Sequence, residues 1–94
     1  MKAFLAEDFL LENDFGEQFA LYPNPTDGEF FIELGKPYQK ITLKIYNVSG
    51  LLIHEAVFKE SRQLNFSVDA SAAYYFVEVL TDDGKRATVK LLKR

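Results

Sequence analysis

The stretch of residues 41–58, "ITLKIYNVSGLLIHEAVF", decides the fold class. Apolar side chains alternate with polar ones over its first half, where Ile41, Leu43 and Ile45 share one face. This period of two is typical of a β-strand with one buried face. The segment 47–50 interrupts the alternation with residues that favour tight turns, and a second apolar segment follows it. The stretch therefore predicts a β-hairpin.

The same pattern extends outward in both directions along the chain. Short apolar segments recur at intervals of about 8–12 residues with turn-forming residues between them, which is typical of an antiparallel sandwich. The absence of helical patterns between these segments disfavours a parallel α/β sheet. We therefore predict an all-β, Ig-like antiparallel β-sandwich of about seven strands. The predicted strands are residues 19–22, 29–34, 41–46, 51–58, 64–68, 73–80 and 87–92, with loops at 35–39 and 59–63.

Length and composition limit the classes of protein that fit. With 94 residues, of which 48% are hydrophobic, the chain has room for one domain and enough apolar side chains to fill its core. Cysteine is absent, which excludes disulfides, thiolate nucleophiles and cysteine-based metal sites. No segment approaches the roughly 20 apolar residues that a membrane span needs. The net charge of −3 disfavours a nucleic-acid partner.

The two ends of the chain carry opposite charge. Residues 1–17 hold five acids and one base, whereas residues 84–94 hold five bases and no acid. We interpret residues 1–18 as a linker, with loosely helical apolar spacing up to residue 17, and residues 19–94 as the folded domain. The basic end has two interpretations. Lysines on a strand can simply block aggregation at a sheet edge, or they can form a tag that a receptor recognises.

Reactive side chains are too few to indicate an enzyme. His54 is the only histidine, and we interpret it as a half-exposed strand residue. No serine lies in a G-x-S-x-G elbow. The acids Asp27, Asp82 and Asp83 lie in turn sequences rather than in a calcium loop. The sequence therefore predicts no enzymatic activity, no metal and no cofactor.

Several aromatic side chains fall on the predicted outer faces of the strands. They are Phe31, Tyr46, Tyr74 and Phe76. Exposed aromatic residues can form a surface that binds sugars or a partner protein. The alternative is that a loop or residues 1–17 cover them. A non-catalytic carbohydrate- or protein-binding module is therefore one candidate function.

The order of short motifs resembles a known family. "YPNP" and "TDGEF" come first, "ITLKIYNVSGLLI" follows, and "YYFVEVLTDDGKRATVKLLKR" comes last. This order is similar to that of the C-terminal sorting domains of proteins exported by the type IX secretion system of Bacteroidota. The resemblance covers residues 19–94. Its motif positions are Pro23, Asn24, Pro25, Gly28, Tyr46, Asn47, Gly50, Tyr75 and Val77, and the sorting signal it implies is Lys90, Leu91, Leu92, Lys93 and Arg94.

One position departs from the family pattern. Ala73 stands where the family usually has glycine, two residues before the strand tyrosine. If the backbone needs a positive φ there, alanine costs about 1 kcal/mol or more. We expect instead that the turn has moved to residues 69–71.

The resemblance implies a folded address label rather than a catalyst. The implied partners are an N-terminal cargo, the outer-membrane secretion machinery and a sortase-like protease that cuts within residues 1–18. The implied route is transit through the periplasm, followed by secretion or display at the cell surface. A terminal strand with a free edge could bind the receptor by strand addition, and an open edge strand could also pair two copies. Deleting Lys90–Arg94 is expected to block secretion while the rest stays folded.

Overall fold

The computed structural model describes residues 9–94, and within them the fold is all-β and antiparallel, as predicted. The pairings between named strands are all antiparallel, in the order β1-β6-β5-β3-β2, and β4 also pairs with β3. Outside these pairings, Thr26 forms an isolated parallel bridge with Lys93 of β6. The six strands are β1 (Leu10–Asn13), β2 (Ala20–Tyr22), β3 (Glu29–Asn47), β4 (Leu52–Ser67), β5 (Ala73–Thr81) and β6 (Arg86–Lys93).

The long strand β3 connects the two layers of the fold. Its first part pairs with β2 at residues 31–33, and its second part pairs with β5 at residues 41–47. Strand β4 follows β3 through both parts. The sheet therefore curls so that its two halves face each other. One layer contains β2 and the adjoining parts of β3 and β4, and the other contains β1, β6, β5 and the remaining parts of β3 and β4.

The core lies between the two layers. In the first part of β3 the buried side chains have even numbers up to Tyr38, and from Ile41 onward they have odd numbers, so the parity changes at the bend of the strand. Both sets therefore point to the same interior. The fully buried side chains of β3 are Phe30, Ile32, Leu34, Ile41, Leu43 and Ile45, and those of β5 and β6 include Val77, Val79 and Leu91.

The strand boundaries differ from the prediction at the bends of β3 and β4. Residues 35–39 and 59–63, predicted as loops, lie within continuous strands. Gly35 has a φ of +92° where the ladder loses its register, and Glu60 has a φ of +51° one residue from Ser61, at the end of that stretch. Both strands bend there. Pro37 is tolerated there because a bulged ladder does not need its missing N–H.

The N-terminal segment also differs from the prediction where the structure describes it. Residues 10–13 form strand β1, which pairs with β6 through Leu10↔Val89 and Asn13↔Ala87. Phe15 is buried against Phe19, with ring centroids 5.4 Å apart. The helical spacing predicted up to residue 17 is therefore wrong over these residues, and residues 1–8 lie outside the described part of the chain. The domain boundary at residue 19 stays a prediction.

The hairpin that fixed the fold class forms as predicted. The Asn47 side chain accepts hydrogen bonds from the backbone N–H groups of Ser49 (2.9 Å) and Leu51 (3.0 Å). Gly50 donates to the Asn47 carbonyl at 2.9 Å and has a φ of +87°, which glycine adopts without steric cost. In the described residues, no helix has the length and apolar character of a membrane span.

Candidate recognition site at the C-terminal strand

Strand β6 carries most of the predicted sorting signal and lies inside the sheet. Strand β5 pairs along one edge of β6, and β1 pairs along the first part of the other edge. Alternation places Ala87, Val89 and Leu91 in the core. Thr88, Lys90 and Leu92 therefore point to the outer face, where they are half-buried.

The side chain of Asn24 covers the edge of β6 beyond the end of β1. Its Nδ2 donates to the Lys90 carbonyl, and its Oδ1 accepts from the Leu92 N–H, both at 3.0 Å. An amide side chain carries the same donor and acceptor as a peptide group. Asn24 thus replaces one residue of a neighbouring strand. Because Pro23 and Pro25 have no N–H, the side chain between them provides the donor.

Thr26 continues this cover to the end of the chain. Its N–H donates to the Leu92 carbonyl at 2.9 Å, and its carbonyl accepts from the Arg94 N–H at 2.9 Å. Its side-chain oxygen bonds the Glu29 carbonyl and the Gly28 N–H, so this polar residue is almost fully buried without an unmet hydrogen bond. The Tyr22–Pro23 and Asn24–Pro25 peptide bonds in this segment are cis. We call Asn24 and Thr26, with their bonds to β6, the edge clamp.

The edge clamp corrects the expectation of a free terminal strand. Strand β6 is flanked on one side by β5 and on the other by β1 and then by the edge clamp. A receptor strand could add to β6 only by displacing one of these partners. In this folded state the paired backbone of β6 is therefore not free for strand addition.

The three cations of the signal point in different directions. The Nζ of Lys90 lies 4.4 Å from the centroid of the Tyr74 ring on the outer face, a cation–π contact. The Nε of Arg94 lies 3.5 Å from Oδ1 of Asp27, and both side chains are largely exposed. Such an exposed ion pair contributes little to stability. Lys93 is half-buried beside Gly28. The cations thus form a basic rim around the end of β6.

Leu91 makes the predicted sorting signal part of the core. Its side chain is fully buried in the core. Deleting residues 90–94 would remove this side chain together with the partners of the edge clamp. We therefore expect the deletion to destabilise the domain, which differs from the expectation drawn from the sequence.

The predicted outer aromatics separate into two groups. Tyr46 lies opposite Phe76, and Phe76 lies opposite Lys90, so these residues form one row across the outer face. Tyr74, which is 37% exposed, belongs to the adjacent row with Leu92, and the ring of Phe9 contacts it edge-on at 6.4 Å.

Phe31 lies in the other layer of the fold. Its ring stacks on that of Tyr22 at a centroid distance of 5.7 Å. The structure thus brings Tyr74 and Phe76 together with Lys90, but it does not bring Phe31 to them. The neighbouring Phe9 partly supports the interpretation that the N-terminal segment covers this face.

The remaining motif residues have structural roles. Tyr75 is buried, and its hydroxyl donates to the Ser71 carbonyl at 2.6 Å, which ties down the loop before β5. Val77 is fully buried in the core. Ala73 is not among the residues with a positive φ, so it does not have the strain that its replacement of glycine suggested.

Side chains for acid–base or metal chemistry do not converge in residues 9–94. No group of three or more His, Asp or Glu side chains there could hold a metal ion. His54 is exposed on β4, and its ring meets Phe66 edge-on at 4.8 Å.

Within the described residues, two side chains have a shifted pKa, Asp83 in the turn between β5 and β6 and the nearby Tyr38. A hydrogen bond from the Thr81 hydroxyl lowers the pKa of the Asp83 carboxyl, and burial together with the nearby Asp83 charge raises the pKa of the Tyr38 hydroxyl. Asp83 lies in the hairpin between β5 and β6, where Gly84 donates to the Thr81 carbonyl at 3.1 Å. These shifts therefore follow from the turn and give no sign of a catalytic group.

Comparison with known proteins assigns the family. Residues 20–94 match the family model described as the secretion system C-terminal sorting domain. The chain belongs to this family. Its members carry a C-terminal sorting signal for type IX secretion, which directs proteins toward the outer membrane and the cell surface. The matched residues span β2 to β6 and include the edge clamp, whereas β1 precedes them.

A solved structure supports the fold of the sorting domain. A DUF3244-family protein from Bacteroides vulgatus, described as having an immunoglobulin-like β-sandwich fold, is similar with a TM-score of 0.70. The two chains are 15% identical, and the match covers 82% of this chain and 85% of the other. At this identity the likeness concerns the fold alone, and it confirms the predicted Ig-like sandwich. Comparison with curated proteins gives no match.

Sequence reasoning missed the role of Asn24 and Thr26. The only signal for the edge clamp was an amide side chain placed between two residues without N–H donors. That signal is local, whereas the partners of the clamp lie 66 and 68 residues away.

Proposed function

We propose that this sorting domain directs an N-terminally attached cargo protein across the outer membrane by the type IX secretion system. The observation that carries the proposal is the family match over residues 20–94. In this proposal the cargo passes through the periplasm and is then released or displayed at the cell surface. The domain has no catalytic step of its own and acts as a folded label.

Recognition in this proposal uses the basic rim of Lys90, Lys93 and Arg94. The edge clamp and β5 hold the backbone of β6 on both sides, so the receptor meets side chains that start from a fixed backbone. A preordered epitope loses less conformational entropy on binding than a flexible tail. Cationic side chains also speed the encounter with an acidic receptor surface.

Removal of the label is proposed to occur within residues 1–18 by a sortase-like protease. Strand β1 is paired with β6, and Phe15 is buried, so both belong to the packed structure. Proteases prefer accessible backbone without tertiary contacts. We therefore place the cut before Leu10. Sequencing the N-terminus of the released domain tests this, and a cut after Leu10 would contradict it.

A fusion of a cargo protein to the sorting domain tests the proposed function. The triple variant K90Q/K93Q/R94Q removes the basic rim and keeps Leu91 and the backbone bonds of the edge clamp. We expect the cargo to stay in the cells, while the thermal midpoint of the domain falls by less than about 12 °C, since three surface substitutions at about 0.5 kcal/mol each total about 1.5 kcal/mol.

The control is K36Q/K40Q/R62Q, which removes two exposed lysines and one exposed arginine away from β6. This variant should be secreted like the parent domain. Normal secretion of the β6 variant would contradict recognition through the basic rim. Loss of secretion in both variants would show that net charge matters rather than this site.

The alternative function, a carbohydrate- or protein-binding module, depends on Tyr74 and Phe76. One observation favours it, the exposure of Tyr74 beside the half-buried Phe76. Glycan-array binding that is lost in Tyr74→Ala would support this function. Equal signal across the array for both proteins would count against it.

A further inference from the structure

The first part of β4 is the long open edge of this fold. Strand β3 pairs with β4 along one side, and no described strand pairs along its other side. The exposed segment is residues 52–60, and Val57 on it is 51% exposed. Edge strands of this length, with apolar side chains, are templates for pairing with another chain.

The hydrogen-bond pattern shows which backbone groups are available. The Lys40 carbonyl accepts from Asp82 N–H, so the backbone of Lys40 points toward the β5 side of β3. By alternation, the backbone N–H and C=O groups of Ile41 and Leu43 point toward β4, where they pair with Phe58 and Ala56. Phe58 and Ala56 therefore use their backbone groups to pair with β3. The alternate residues of β4, which are Glu55, Val57 and Lys59, have backbone groups that point away from β3 into the open edge.

The charges on this edge are self-complementary in one register. If two copies of β4 pair antiparallel around a two-fold axis at Val57, Glu55 of each copy lies opposite Lys59 of the other. A register centred on Glu55 or on Lys59 would instead place like charges opposite each other, which is destabilising. The register centred on Val57 is the only one that pairs Glu55 with Lys59.

We propose that two copies of the sorting domain pair through the open edge of β4, in the antiparallel register centred on Val57. The two curled sheets then join into one continuous sheet, and an isologous interface of this kind closes as a dimer. Strand β4 lies at the opposite edge of its layer from β1, with β5 and β3 between β6 and β4. The dimer therefore leaves the basic rim accessible. Dimer formation does not depend on the proposed function.

Sedimentation velocity of the chain over a range of concentrations tests the pairing. We expect a concentration-dependent dimer, and a monomer at about 1 mM, a concentration that detects even weak association, would overturn the proposal. Val57→Pro should abolish the dimer. Because the Val57 N–H is not used by β3, this edge proline should leave the monomer folded. Val57→Thr is the matched control and should still dimerise. Equal dimerisation of the proline variant would also overturn the proposal.

A charge exchange tests the register and does not depend on proline. Glu55→Lys alone and Lys59→Glu alone each place like charges opposite each other twice, so each should weaken the homodimer by about tenfold or more. An equimolar mixture of these two variants restores both opposite-charge pairs and should give a heterodimer. If the mixture associates no better than the separate variants, the register is wrong and the proposal fails.

Cysteine cross-linking gives a second readout of the same register, because the chain has no native cysteine. Opposite residues of a hydrogen-bonded antiparallel pair have Cα atoms about 5.5 Å apart, within the range that a disulfide spans. Val57→Cys should therefore cross-link to itself on oxidation. Glu55→Cys alone should not, but it should cross-link when mixed with Lys59→Cys. Self-linking of Glu55→Cys at the rate of Val57→Cys would contradict the register.

Discussion

Replacing the half-buried Asn24 by alanine should destabilise the domain by freeing the end of β6. The variant loses two hydrogen bonds to β6, and each contributes about 1 kcal/mol. It also leaves the Lys90 carbonyl and the Leu92 N–H without these partners. We therefore expect a loss of about 2–3 kcal/mol, against a total stability of about 5–15 kcal/mol for a natural domain.

Two measurements check this expectation. A loss of about 2 kcal/mol corresponds to a fall of about 8–16 °C in the thermal midpoint of a domain of this size. Amide hydrogen exchange should also show that protection falls first at Leu92 and Arg94, whose N–H groups lie at the edge clamp. Gln63→Ala, which removes one exposed hydrogen bond to Tyr22, is the control and should cost about 0.5 kcal/mol. Unchanged exchange at Leu92 in Asn24→Ala would refute the clamp.

Three further predictions concern the core and the turns. Leu91→Ala should lower the free energy of unfolding in urea by about 2–5 kcal/mol, because it opens a cavity in the core. Leu92→Ala on the outer face should cost less than half as much, and equal losses would contradict the burial of Leu91. Tyr75→Phe should cost about 1 kcal/mol and increase proteolysis near Ser71, and an unchanged cleavage rate there would argue against the hydroxyl as an anchor. The pKa of Asp83 is lower in the folded protein than its usual 3.8, so its stabilising contribution is present above that value and is lost as the pH falls through the folded pKa. Asp83→Asn should therefore flatten the fall in stability below about pH 4, and parallel pH profiles for the two proteins would refute this role.

The strands could be predicted from the sequence because their alternation is local. Ile41, Leu43 and Ile45 show the buried face of β3 directly, and Asn47 with Gly50 shows the turn. The bends at residues 35–39 and 59–63 could not be predicted. Glycine, proline and charged residues indicate a loop equally well, and only the pairing of β3 with β4 shows that the ladder continues beyond them.

The candidate site was predictable only in part. The composition of Lys90–Arg94 shows a basic end, but it does not show that Leu91 belongs to the core or that both edges of β6 are occupied. The helical spacing before residue 17 gave way to strand β1 because β6 offers backbone partners that a local pattern cannot include. Tertiary pairing overrides a weak local preference in such cases.

The partners of β6 on its β1 side have a consequence for the folding rate of the domain. Asn24 lies 66 residues from Lys90 in the sequence, and Asp14 lies 72 residues from Arg86, to which its side chain is bonded. Contacts between such distant residues form only after most of the chain has closed into a loop, and folds rich in them form slowly. Interactions that form after the transition state slow unfolding but do not speed folding. The edge clamp should therefore lengthen the lifetime of the folded label, and Asn24→Ala should unfold faster while its folding rate stays nearly the same.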